Sequence, residues 1–136
     1  MSRVSFKIRN LDVRGIVDHS HREVPREACG LLGLYSTKSS NWLIPMPTKN
    51  SSNQRRSFSI SAFEVETCKR KCSERNMSLI GCYHSHIFGK AAPSPRDKPS
   101  MIPAVPVWLI YSIHWDQIGC YMYSSGRIYR CRLQVV

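Results

Sequence analysis

Residues 84–97 run His84-Ser85-His86-Ile87-Phe88-Gly89-Lys90-Ala91-Ala92-Pro93-Ser94-Pro95-Arg96-Asp97. The segment before them, Ser78-Leu79-Ile80-Gly81-Cys82-Tyr83, is short, apolar and bounded by polar residues, the pattern of a buried strand. His84 and His86 then stand at the end of that strand. Alternate side chains of a strand share a face, and residues two apart are separated by roughly 6–7 Å along the backbone. Both imidazoles can therefore reach one ion at the about 2.0–2.1 Å of a zinc–nitrogen bond, while Ser85 points the other way. Asp97, brought back by the loop through Gly89 and Pro95, offers a third ligand and leaves a fourth position for water, as in catalytic zinc sites.

The same residues admit a second local reading. Ser94-Pro95-Arg96-Asp97 has the spacing of a helix capping box with proline at the first helical position, and Pro99 limits any helix there to a very short one. The two readings are compatible. For the histidine pair alone, a metal and a non-metal role stay equally open, because short motifs recur by chance.

Upstream lies Pro25-Arg26-Glu27-Ala28-Cys29-Gly30-Leu31-Leu32-Gly33. Taken with His84-Ser85-His86, the seven residues 87–93, Ser94, two further residues and Asp97, it resembles the JAMM (MPN-plus, or JAB) zinc isopeptidases. Their signature is a remote glutamate in a segment of the type Pro-x-Glu-x-Cys-Gly-x-Leu, then His-Ser/Thr-His, seven residues, Ser, two residues and Asp. The resemblance implies a single JAMM/MPN-plus metalloprotease domain over residues 1–136, of the minimal prokaryotic type. It implies one zinc ion held by His84, His86 and Asp97, with Glu27 as general acid/base and Ser94 as an electrophilic helper; Ser85 orients the loop rather than reacting. By itself, Glu27 would read as a solvated strand end or an ion-pair partner for Arg26. Many family members carry proline directly after the second histidine, where this chain has Ile87-Phe88-Gly89-Lys90. That departure alters the loop and not the ligands.

A chain of 136 residues fits one domain that buries about two thirds of its unfolded surface. With 42% hydrophobic and 21% charged residues, the composition is that of an ordinary globular protein. No apolar run approaches the roughly 18–20 residues of a membrane span, and the polar start Met1-Ser2-Arg3 lacks a secretory core, so the expected location is cytoplasmic. Cys29, Cys68, Cys72, Cys82, Cys120 and Cys131 sit mostly in apolar runs and are read as reduced packing residues. Cys68 and Cys72 share a helix face without the second pair a zinc ribbon needs. The net charge of +11 points to an acidic partner, either protein or nucleic acid. Its basic residues are dispersed, with one dense run at Lys69-Arg70-Lys71 and Arg75, and no nucleic-acid motif accompanies them.

Along the chain, residues 4–8 alternate as a half-buried edge strand, and Asn10 is placed to cap a helix with Val13, Ile16 and Val17 on one face, ending before Pro25. His19 and His21, near its C-terminal end, are assigned to the surface. Residues 28–35 form a central strand with 41–46 as its hairpin partner. The polar stretch 47–57, with Asn50, Arg55 and Arg56, is expected to be a mobile surface loop. Phe58 and Ile60 alternate as a short strand, and Ser61 with Glu64 caps a second helix that ends near Asn76. Pro99, Pro103 and Pro106 prevent a long helix before the strand at 107–111, and 119–123 and 128–133 form a hairpin. His114 is taken as structural.

The fold expected is α/β (α+β): a mixed, largely antiparallel sheet flanked by one long helix on either side. The resemblance implies a cytidine-deaminase-like JAMM/MPN fold with the same inventory. Deaminase chemistry is set aside, because neither His-x-Glu nor Pro-Cys-x-x-Cys is present. The activity implied by the resemblance is hydrolysis of an amide at the C-terminal Gly-Gly tail of a ubiquitin-like or β-grasp sulfur-carrier protein by metal-activated water. Only nine residues separate Asp97 from Val107, too few for the long insertion by which eukaryotic members grip ubiquitin. An acidic carrier suits the +11 surface, its tail adding to a sheet edge beside Arg55 and Arg56. The alternatives are a non-catalytic MPN-type scaffold and a basic nucleic-acid-binding domain.

Overall fold

The computed structural model describes residues 4–101 and 104–136. Along it follow β1 (Ser5–Ile8), α1 (Asn10–Glu23), β2 (Cys29–Ser36), β3 (Asn41–Thr48), α2 (Ala62–Glu74), β4 (Ser78–His86), β5 (Val107–Ser112), β6 (Gln117–Ser124) and β7 (Arg127–Val135), with a 3-10 turn at Lys98–Ser100. The readings of Met1-Ser2-Arg3 and of Pro103 fall outside the described residues.

The strands hydrogen-bond in the order β1-β3-β2-β4-β5-β6-β7, and the sheet closes into a barrel. β1 lies parallel to β7, from Ser5 against Arg132 to Ile8 against Val135, and parallel to β3 through Lys7 and Trp42. β4 and β5 are also parallel, and the remaining neighbours are antiparallel. This corrects the expected helix-flanked α/β sheet of cytidine-deaminase type. The fold is a closed, mostly-strand barrel, and its helices are short, 14 and 13 residues. The alternation in residues 4–8 suits a half-buried strand at an edge or in a ring equally well, because period two records which face is buried and not how many neighbours the strand has.

Alternation along the strands feeds two apolar clusters. Phe6, Ile8, Leu32, Leu43, Val107, Leu109 and Tyr111 pack with Ile16 of α1, while Leu31, Met46, Cys82 and Trp108 pack with Cys68 and Cys72 of α2. Cys68 and Cys72 are therefore core residues, and all six cysteines are buried. Ser61 accepts a hydrogen bond from the Glu64 amide, as expected of an N-cap. The Glu64 carboxylate, however, turns to the Lys49 amide at 3.1 Å, fastening the end of β3 to α2. Asn10 is not the cap of α1; Arg9 precedes the helix without a capping side chain and pairs with Asp12 at 2.8 Å. His19 is buried rather than at the surface, because the Tyr83 hydroxyl, 2.7 Å from its Nδ1, supplies a partner from β4. Among the described residues no helix is long and apolar enough to cross a membrane.

β4 can approach β5 because residue 81 has no side chain. A Cβ there would lie 1.7 Å from the Val107 carbonyl oxygen, the residue it pairs with. Gly81→Ala is thus expected to pry apart the two strands and to cost about 3 kcal/mol, read as a lower urea midpoint.

Candidate metal centre

β4 ends on the two histidines, and its pleat presents both rings to one side. Their Nε2 atoms are 3.0 Å apart. Asp97 reaches them from the turn after residue 93, with Oδ1 3.2 Å from Nε2 of His84 and Oδ2 3.1 Å from Nε2 of His86. All three residues are buried. Asp97 is held by a reciprocal capping box: the Ser94 amide donates to Oδ2 at 2.8 Å, and the Asp97 amide donates to Ser94 Oγ at 3.3 Å. The capping and cluster readings of 94–97 therefore hold together, with only the 3-10 turn following. Because Ser94 Oγ only accepts there, its hydroxyl hydrogen remains available to another acceptor.

The Lys90 carbonyl lies 2.8 Å from Nδ1 of His86. A carbonyl can only accept, so Nδ1 carries the hydrogen and the neutral ring turns its Nε2 lone pair inward. His84 is fixed by packing: its ring stacks on Phe58, with centroids 4.5 Å apart and planes at 21°, and meets Trp108 edge-on at 5.5 Å. Residues 58–60 form no strand, and the Phe58 ring instead covers the histidine. Burial lowers the pKa of His84. It opposes ionisation of Asp97 too, but the two imidazoles and the Ser94 amide outweigh it and hold that carboxyl well below the usual carboxylate range. At His86 burial is outweighed by Asp97 and the Lys90 carbonyl, which raise its pKa.

The three ligand atoms lie 3.0–3.2 Å apart, a spacing that ring N–H hydrogen bonds fill in the metal-free chain and that a shared cation can fill in their place. A tetrahedral ion with bonds of 2.0–2.1 Å spaces its ligands by about 3.3 Å. The cluster can hold one metal ion, and the donor set of two imidazoles and a carboxylate fits it.

Glu27 precedes β2 and lines the same cleft as His86 and Ser94. It is buried, its Oε1 has no hydrogen-bond partner among the described residues, and burial pushes its pKa up to about 7. Arg26 does not pair with it; the guanidinium turns to the carbonyls of Asn50, at 2.9 Å, and Ser52. Ser85 ties this segment to β4: the Ala28 amide donates to Ser85 Oγ at 2.8 Å, and the Ser85 amide to the Ala28 carbonyl at 3.0 Å.

The residue that sequence reasoning missed is Asn50. Far from lying in a mobile loop, it is 2% exposed. Its Nδ2 donates to the Glu27 and Ser57 carbonyls, and its Oδ1 accepts from the Ser52 and Ser59 amides. An asparagine in a polar run carries no periodicity, so nothing local marks it. Asn50→Ala takes this partner from the buried Glu27 carbonyl and from three partly buried backbone groups and is expected to cost about 2 kcal/mol, with a lower urea midpoint, and to loosen the backbone under Glu27.

The sequence matches the family model of prokaryotic homologs of the JAB domain over residues 12–128. No curated protein is a match. Among solved structures, a protein from Desulfitobacterium hafniense superposes with a TM-score of 0.85 at 21% identity, over 96% of this chain and 92% of that one. One from Salinibacter ruber gives 0.67 at 18%, over 96% and 91%. At these identities the likeness establishes a shared fold.

Proposed function

The chain belongs to the prokaryotic homologs of the JAB domain, and from that premise we propose that it is a zinc-dependent isopeptidase or peptidase. Its substrate is the amide at the C-terminal Gly-Gly tail of a ubiquitin-like or β-grasp sulfur-carrier protein. The observation that carries the reading is a buried cluster of three ligand atoms at 3.0–3.2 Å with a buried carboxyl in the adjoining cleft whose Oε1 has no partner among the described residues.

His84, His86 and Asp97 would hold the ion, and two nitrogens with one carboxylate oxygen suit zinc and leave a position open. When bound, zinc lowers the pKa of water to about 7 and acts as a Lewis acid toward a carbonyl oxygen. Glu27, buried in the cleft beside the centre, takes a proton from the attacking water and returns it to the departing amine. The Ser94 hydroxyl, whose hydrogen is uncommitted, donates to the carbonyl oxygen as negative charge develops there. Ser85 keeps Glu27 in register with the histidines by bonding Ala28.

The test is incubation of the metal-loaded protein with ubiquitin-like conjugates and carrier fusions, read by mass. Cleavage after Gly-Gly is expected. About one bound zinc per chain with every amide in the panel left intact would favour the scaffold alternative.

A further inference from the structure

The cleft over the cluster has a volume of about 760 Å³ and is strongly basic. Arg55, Arg56 and Arg96 line it together with the apolar Val24, Ile87 and Phe88. All three arginines are exposed, and none forms an ion pair with a described acid. Glu27, which lines the same cleft, and Asp97, next in sequence to Arg96, are buried in the site itself.

The loop that carries two of these arginines is built. Asn50 bonds both of its ends, Ser52 and Ser57 join hydroxyl to hydroxyl, and the Gln54 amide donates to Ser52 Oγ. Arg55 and Arg56 occupy the turn at its tip. The ring closes between β1 and β3 through the one pair Lys7 and Trp42; whatever the course of a tail, the charge it meets at the cleft is that of these arginines. Guanidinium groups pair with carboxylates in two-point hydrogen bonds, and like charge repels a basic tail.

We propose that this cleft selects a substrate with an acidic residue beside the scissile amide, held by Arg55, Arg56 and Arg96. The inference rests on the hydrolase reading for the position of the bond, but it is a statement about binding and is tested as such.

The probes are fluorescent peptides ending in Gly-Gly, joined through an amide to a lysine side chain, with Asp-Glu, Ser-Ser or Lys-Arg before the glycines. Their binding to the Glu27→Gln protein is measured by anisotropy at physiological salt. The acidic peptide is expected to bind about tenfold or more tighter than the basic one. Arg55→Glu with Arg56→Glu should reverse that order, while Arg70→Glu with Lys71→Glu, the same change of charge on α2, should leave it. Equal binding of the three peptides, a preference that survives the Arg55/Arg56 reversal, or tighter binding of a single-stranded oligonucleotide that the reversal abolishes would each overturn the proposal. If the preference holds and no peptide is cleaved by the parent protein, the binding inference stands and the hydrolase reading falls.

Discussion

Glu27→Gln is expected to lower turnover by about 10³-fold while one metal ion per chain stays bound. The substitution keeps the volume of the side chain and removes only its ability to accept and return a proton. His84, His86 and Asp97 are untouched, so metal content by elemental analysis should match that of the parent. Retained turnover would rule out Glu27 as the base. The same variant should be more stable, and the sign follows from the titration. Burial raises the Glu27 pKa from 4.5 to about 7 in the folded, metal-free chain. Its stabilising contribution is therefore full below about pH 4.5 and is lost as pH rises through 7. Glutamine has no proton to lose. Urea midpoints of the metal-free proteins should show the variant ahead of the parent at pH 8, with the gap closing toward pH 5.

His84→Ala is expected to empty the centre and to weaken the fold together. The ring is fully buried between Phe58 and Trp108, so its removal leaves a cavity. A loss of about 3 kcal/mol is reasonable for a buried ring of this size. Bound zinc should fall below about a tenth of an ion per chain, since two ligands do not make a zinc site. His86→Ala separates the two effects, because His86 lines the open cleft: it should lose the metal equally with a smaller fall in the urea midpoint. A full complement of zinc in both variants would overturn the assignment of the centre.

What the sequence made legible was whatever a strand or a turn encodes locally. The spacing of His84 and His86 places both rings on one face of β4, and Ser94 to Asp97 closes the turn that returns the carboxylate. The cap at Ser61 and the hairpin at 124–127 are likewise local. The hidden parts depend on partners far along the chain. His19 reads as a surface residue until Tyr83, 64 positions away, is seen to meet it. Asn50 reads as loop until the Glu27 and Ser57 carbonyls converge on it. Ring closure is the extreme case, since residues 4–8 look the same with one neighbour or two.

That closure also sets the order in which the protein can assemble. β1 is made early, yet the strand it pairs with over its whole length, β7, lies at residues 127–135. The loop between them must close before any of their hydrogen bonds forms, and such distant pairings slow folding to the millisecond-to-second range. Until then β7 presents an unpaired edge, the kind of surface on which incomplete chains associate. Four residues, 5–8, are what turn a sticky intermediate into a ring, and refolding yield at high protein concentration should depend on them more than native-state contacts suggest.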